Sequence, residues 1–290
     1  MALELQKDFV LFLQGFRNVF TELFFNLVSF FGEPEFYILL LGFVYWVLNK
    51  KAGEMIGITL GFSLSLNNIL KAIFHLERPF ITYSEIENLR ASTATGSAFP
   101  SGHAQGSASL FFALAFAFKK RFLFIIAIIM AILMMFSRMF LGVHYFQDVL
   151  AGTLIGILIA YGVYLIFQKY YEHPLTLHRI YALMIVLLLP AVILVDINDF
   201  FRGYGIFVGL VLAIVIEKRF VNFTYAISWQ RKIVRYLGGV VLLLLTMNLL
   251  GLVFGLAPDD FKNALDFVRF FFVALIGFGI YPMIFTKLKF

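Results

Sequence analysis

The chain contains no cysteine, which excludes disulfides, thiolate metal centres and cysteine nucleophiles together. Charge is scarce too: 14% of its 290 residues are Asp, Glu, Lys or Arg, against 62% hydrophobic, with a mean hydropathy of +0.93. An ordinary soluble domain is nearer half apolar and a quarter charged, so the composition points to a polytopic membrane protein. The N-terminal stretch does not read as a cleavable leader either. Residues 5–31, LQKDFVLFLQGFRNVFTELFFNLVSFF, lack a basic start followed by a clean apolar core. No internal repeat and no low-complexity linker is visible, and the first of these weighs against a transporter built from related halves.

What is present reads as helix throughout. In the N-terminal stretch, Phe9, Phe12, Leu13, Phe16, Phe20, Leu23, Leu27 and Phe30 recur at helical spacing, interrupted by Lys7, Gln14, Arg17, Asn18 and Glu22. That pattern predicts an amphipathic helix lying in the membrane interface over residues 1–33, with a first packed span as the alternative. Beyond it, apolar runs near 35–49, 54–76, 104–118, 122–141, 145–168, 180–195, 203–217, 236–256 and 267–285 give about nine spans. The expectation is an all-α polytopic membrane protein. It divides into the N-terminal helix (1–33), a core carrying the motifs described below (34–170) and additional C-terminal spans (171–290).

Charge asymmetry orients this arrangement. With nine spans, 14 of the 23 basic residues fall on one face, at Lys50–Lys51, Lys119–Arg121, Lys169, Arg179, Lys218–Arg219, Arg231, Lys232, Arg235, Lys287 and Lys289, with only Glu54, Glu172 and Glu217 as acids there. Basic residues flanking spans stay cytoplasmic, so the opposite face, with the loops at 77–103 and 142–145, is expected to be extracytoplasmic.

Three polar segments converge on that face. KAIFHLERPF carries Lys71, Arg78 and Pro79; FPSGHAQ carries Ser101, Gly102 and His103; SRMFLGVHYFQD carries Ser137, Arg138, His144 and Asp148. Charges at such positions are costly and usually face a cavity or a partner. Lys71, Arg78 and Arg138 could neutralise a tetrahedral dianion, because the guanidinium fork matches phosphate oxygens and an ammonium adds a point charge. Ser101 can cap the helix that follows, Gly102 lets backbone approach a ligand, and the free N–H groups of a helix start favour an anion. His144 and Asp148, four apart, share one helix face, where the carboxylate could hold one ring nitrogen and leave the other free. Each segment alone also has a bland reading as snorkelling, plain capping or a satisfied polar pair. A metal site is disfavoured, because three cations in the pocket would repel a divalent ion.

Taken together, Lys-x6-Arg-Pro, Pro-Ser-Gly-His and Ser-Arg-x5-His-x3-Asp closely resemble the three-part signature of the type 2 phosphatidic acid phosphatase superfamily over residues 71–148. That superfamily includes vanadium haloperoxidases. The chain resembles its membrane-integral branch, including sphingosine-phosphate phosphatases and glucose-6-phosphatases. The resemblance implies a phosphatase in which His144 is the nucleophile and forms a phosphohistidine, Asp148 orients it, and His103 protonates the leaving oxygen and later activates water. Lys71, Arg78, Ser101, Gly102 and Arg138 would bind the phosphoryl oxygens, with Ser137 as a further contact and His75 outside the chemistry. It implies no metal and no cofactor.

The expected partners are the bilayer and a phosphorylated lipid, with nucleic acid excluded and the oligomeric state left open. The outward site and absent cysteine point to a bacterial plasma membrane. A soluble phosphate ester such as a sugar phosphate is the alternative substrate. A non-catalytic lipid-binding or transport protein is the alternative class. Asp196, Asp199, Asp259 and Asp260 are expected on the same face, as entrance rim or as solvated loop charge.

Overall fold

A computed structural model describes residues 2–91, 94 and 96–288. All regular structure among them is helical. In chain order the helices are α1 (Ala2–Gln14), α2 (Val19–Phe30), α3 (Pro34–Phe43), α4 (Lys50–Phe74), α5 (Pro79–Thr82), α6 (Gly102–Phe118), α7 (Arg121–Phe140) and α8 (Phe146–Tyr170). They continue with α9 (Pro174–Leu188), α10 (Ala191–Leu194), α11 (Asn198–Ile216), α12 (Trp229–Phe254), α13 (Lys262–Leu275) and α14 (Tyr281–Leu288). Single π-helical turns at Val44–Leu48, Glu217–Val221 and Ile276–Ile280 prolong α3, α11 and α13.

Seven helical stretches among the described residues are long and apolar enough to cross a bilayer, and the bent pair α2–α3, broken by 54°, would make an eighth. The count of nine is not confirmed. The ninth expected span, α6, has 17 residues, at the lower end of the roughly 17–25 that cross a bilayer, and is not among these stretches.

The N-terminal stretch also departs from the single helix expected of it. The chain breaks at Gly15–Asn18, where the Asn18 side chain accepts from Phe20 N and Thr21 N while Thr21 Oγ1 accepts from Asn18 N. This reciprocal capping box satisfies donors at the start of α2 and makes a restart cheaper than continuation. Only the second of the two helices takes part in the bent, span-length pair.

The chain forms two compact units, residues 1–37 with 66–161, and residues 38–65 with 162–290. In the first, Val10 of α1 is buried with Ile86, Ala104, Met134, Met139 and Val149. Polar side chains of α1 tie it to the neighbouring loops. Gln6 donates to Gln147 Oε1 (3.1 Å), Gln14 donates to the carbonyls of Glu87 (2.8 Å) and Phe140 (3.2 Å), and Lys7 pairs with Glu85 (2.9 Å). Helices α6 and α8 approach very closely. A Cβ on Gly152 would lie 2.6 Å from the Ser101 carbonyl, and one on Gly156 would lie 2.4 Å from that of Gln105. Small residues four apart allow this contact between apolar helices.

The second unit uses the same device between α11 and α13, where Gly205 and Gly209 each face a carbonyl 2.4 Å from an added Cβ. Its buried charges are paired. Glu54 accepts from Lys218 Nζ (2.7 Å) and Tyr181 OH (2.9 Å), and Glu217 accepts from Lys50 Nζ (3.0 Å) and Phe223 N (2.9 Å). The loop acids are engaged as well. Asp196 accepts from Asn263 (2.6 Å) and Asp199 from Arg202 (3.3 Å), the guanidinium that also reaches Asp266 (2.9 Å).

Candidate active site

The three polar segments meet within the first unit. Arg78, at the entry to α5, is buried and points Nη1 at the Val143 carbonyl (3.0 Å) and at His144 Nε2 (3.4 Å), with Nε donating to the Gly96 carbonyl (2.9 Å). A guanidinium can only donate, so this contact assigns Nε2 as the unprotonated nitrogen and places the ring proton on Nδ1. Nδ1 faces Asp148 Oδ2 at 3.5 Å, an ion-pair distance rather than a hydrogen bond, and it has no hydrogen-bond partner. The same Oδ2 accepts from Tyr145 N at 2.8 Å, which fixes the carboxylate over the helix start. Burial first, and then the cations Arg78 and Arg138, hold the His144 imidazole well below the ordinary histidine range. At neutral pH it is therefore uncharged, with the Nε2 lone pair facing Arg78.

The turn carrying His144 depends on Gly142, which sits at φ +74° with the Glu87 carbonyl 2.1 Å from where a Cβ would be. Both the left-handed backbone and the space demand glycine there. Arg138, at the end of α7, is completely buried. Its Nη1 donates to Ser29 Oγ (2.6 Å), but Nε and Nη2 have no hydrogen-bond partner. Unsatisfied buried donors on a cation are costly, and two of them in one place suit an anion. Lys71, on α4, donates from Nζ to the Ser97 carbonyl (2.9 Å).

Ser101 N-caps α6, accepting from Ala104 N, and its own N–H donates to the Asp148 carbonyl (3.0 Å), which joins the second segment to the third. Gly102 backs onto Asn67, whose Oδ1 lies 3.1 Å from an added Cβ. His103 follows, its Nε2 buried without a hydrogen-bond partner and 3.9 Å from Glu33 Oε1.

All eight residues singled out for chemistry thus lie in this unit, around one buried corner. The Ser137 hydroxyl donates to the Phe25 carbonyl (2.7 Å) and ties α7 to α2. His75 is solvent-exposed in a left-handed turn. Among the described residues, no three His, Asp or Glu side chains are grouped as a metal would require.

Sequence reasoning missed four residues. Ser29 and Glu33 come from the stretch read as interfacial, and Arg90 pairs with Glu33. Asn67 donates to the Pro100 carbonyl (3.2 Å) and Gln105 Oε1 (2.8 Å), anchoring the PSGH turn. For Glu33, the available signal was an acid set between Gly and Pro, where two apolar runs meet, the place where a helix ends and turns back.

Fold and site together define a polytopic helical membrane protein with a buried, cation-lined corner holding two histidines. The chain belongs to the PAP2 superfamily: that family's model matches residues 55–172, and the model for the transmembrane extension of PAP2 superfamily phosphatases matches residues 201–290.

Among similar proteins, a probable sphingosine-1-phosphate phosphatase of Dictyostelium discoideum is 27% identical over 171 residues, covering 53% of this chain and 40% of its own length. The chain thus spans less than half of that relative. A lipid A 4'-phosphatase of Bacteroides thetaiotaomicron is 28% identical over 166 residues, covering 53% of this chain and 72% of its own. Among solved structures, a transmembrane PAP2-type phosphatidylglycerolphosphate phosphatase from Bacillus subtilis superposes with a TM-score of 0.51 at 22% identity, over 58% of this chain and 87% of that one. That likeness establishes the shared helical fold.

Proposed function

We propose that this protein is a metal-independent phosphatase that hydrolyses the terminal phosphate of a lipid phosphate or diphosphate at the extracytoplasmic face. The observation that carries the reading is His144. Its Nε2 is unprotonated and buried, Asp148 stands on the other side of the ring, and the partnerless donors of Arg138 belong to the same buried corner.

In the reaction, Nε2 attacks phosphorus as the bond to the ester oxygen breaks, and His103 gives its proton to that oxygen, releasing the alcohol. Water then attacks the phosphohistidine. His103 takes its proton, the P–N bond breaks, and inorganic phosphate leaves with His144 restored. Arg78, Arg138, Lys71, Ser101 and the Gly102 N–H hold the phosphoryl oxygens, where transition-state charge accumulates. The positive charge of these side chains supplies the stabilisation that a divalent ion gives elsewhere.

Two observations support a lipid as substrate. The pocket lies at the ends of apolar helices, so a lipid could remain in the bilayer while its headgroup enters. The two relatives are a phosphatase of a sphingoid-base phosphate and one of lipid A. The extracytoplasmic assignment rests on the charge asymmetry of the loops, and a bacterial plasma membrane fits it.

The test is phosphate release by purified protein in detergent with EDTA present. Substrates would be sphingosine phosphate, phosphatidate, phosphatidylglycerophosphate, undecaprenyl diphosphate and glucose 6-phosphate, with H144A as control. Release from lipids that disappears in H144A, with trapping of 32P on the parent protein in acid-labile, base-stable form, is expected. Release from the sugar phosphate alone would shift the substrate class. No release by folded protein would overturn the enzymatic reading in favour of binding or transport.

A further inference from the structure

The corner holds a second carboxylate–imidazole pair outside the three-part signature. Glu33 lies in the turn between α2 and α3, with Oε1 3.9 Å from His103 Nε2. The turn is packed onto the ring: a Cβ on Gly32 would meet His103 Cδ2 at 3.0 Å and Cβ at 3.1 Å. Arg90 Nη2 pairs with the same Oε1, and Arg90 Nη1 is itself anchored on Asn26 Oδ1 (2.8 Å). A carboxylate paired with a guanidinium is ionised. The acid is therefore charged, nearly buried, and aimed at a ring nitrogen that has no hydrogen-bond partner.

We propose that Glu33 is a positioning residue for His103: it takes the Nε2 side of the ring and leaves Nδ1 to exchange the proton with the departing oxygen and then with water. This inference rests on the hydrolase reading above. It makes the two histidines mirror images. Asp148 stands at Nδ1 of His144 and leaves Nε2 to act, whereas Glu33 stands at Nε2 of His103 and leaves Nδ1. A separation of 3.9 Å closes to hydrogen-bond length with a shift of about 1 Å, of the kind that accompanies substrate binding.

The charges facing His103 explain why such a partner is needed. Burial first, then Arg138 on α7 and, more weakly, Lys71 on α4 pull the His103 imidazole down, and Glu33 offsets part of this; His144 adds a like charge when protonated. Arg90 stands behind Glu33, and the Tyr37 phenol of α3 faces both Glu33 and Arg138. A general acid in this company loses its proton unless a carboxylate offsets the cations. Asp148 is committed to the other histidine, so the task falls to Glu33.

The experiment compares E33Q, E33D, R90Q and H103A. It uses an alkyl lipid phosphate, whose leaving group needs a proton, and an aryl phosphate with a good leaving group. E33Q should lower kcat on the alkyl substrate by about ten- to a hundredfold with little change in KM, and on the aryl phosphate by less than about threefold, because a good leaving group needs little general-acid help. The basic limb of its pH profile should move to lower pH. R90Q removes a cation and frees Glu33 for His103, so its basic limb should move to higher pH. E33D should recover part of the loss. Opposite movement of the two limbs is the decisive sign, because a merely structural Glu33–Arg90 pair predicts the same change in both variants. Equal limbs in E33Q and R90Q, or an equal loss on both substrates, would overturn the inference while H103A still abolished alkyl turnover. Alkyl turnover surviving in H103A would overturn the hydrolase roles and this inference with them. Should E33Q fail to fold, R90Q alone decides by the direction of its limb.

Discussion

Both compact units bury ionised side chains, and they treat them oppositely. In the second, Glu54 and Glu217 are each closed by a lysine and a further donor. In the first, Arg138 keeps two donors without partners, and His103 Nε2, His144 Nδ1 and Asp148 Oδ1 are likewise unmet by hydrogen bonds. A buried charge that is fully paired contributes shape and specificity to a fold. A cluster that leaves several groups unsatisfied costs stability, and it persists because something else completes it. Under the proposed function, the difference separates a structural use of buried charge from a chemical one without appeal to any motif.

The contrast can be broken most sharply by exchanging consequences between the units. Arg138→Met should reduce kcat/KM by about 10²–10³-fold, as loss of a transition-state donor does, with little change in melting temperature, since the buried charge it removes has two unmet donors against one hydrogen bond to Ser29. Lys218→Met should do the reverse. It strands the Glu54 carboxylate in the interior, at a cost of about 3–5 kcal/mol, while phosphate release per folded molecule stays near the parent value. A thermal melt and a rate on each variant would decide. If Arg138→Met destabilises and Lys218→Met inactivates, the distinction is wrong.

A smaller effect should follow from geometry alone. Gly156→Leu forces α6 away from α8, because its Cβ would start 2.4 Å from the Gln105 carbonyl. Overpacking of this kind costs about 1–3 kcal/mol. A displacement of His103 by about 1 Å relative to His144 should lower kcat about 100-fold, where Gly156→Ala lowers it less.

The charge state of His144 sharpens the comparison further. The folded chain holds this imidazole neutral where an unfolded chain would protonate it. Its contribution to stability is therefore fully present above about pH 6.5, and it is lost as pH falls from there toward the lower folded value. The acid limb of kcat/KM should likewise lie below about 6.5. His144→Asn, which does not titrate, should flatten the fall in melting temperature below that pH. The smallest change expected is from Asn18→Ala, about 1 kcal/mol for a lost cap, with activity retained.

The candidate site was legible in the sequence because its residues cluster in three short segments at fixed spacing, and glycine, proline and histidine beside apolar runs are conspicuous. The supporting residues were not. Glu33 and Ser29 sit in a stretch whose pattern is amphipathic, and a polar residue there reads as facing water or lipid headgroups. Only the break at Asn18 and the bend before Pro34 turn those side chains inward, and neither angle can be read from periodicity. Asn67 lies inside an apolar helix as one amide among serines, with nothing local to tell a lipid-facing turn from a buried one. The glycines at 152 and 156 were readable as a close-packing pair and point to the α6 contact. The ninth span is not confirmed at α6 for a related reason: a helix that starts at Gly102 and His103 spends its first turn on polar groups.

Helix α1 has a further consequence, in the order of assembly. Its partners are Glu85, Glu87, Phe140 and Gln147, up to 141 positions later in the chain. Residues 6–14 emerge from the ribosome long before those partners exist, so α1 cannot dock until about half of the chain has been synthesised and inserted. Loop closure over such a distance is slow compared with helix formation. The segment that carries Val10 into the core is thus among the earliest made, yet it waits for half of the chain before it finds its place.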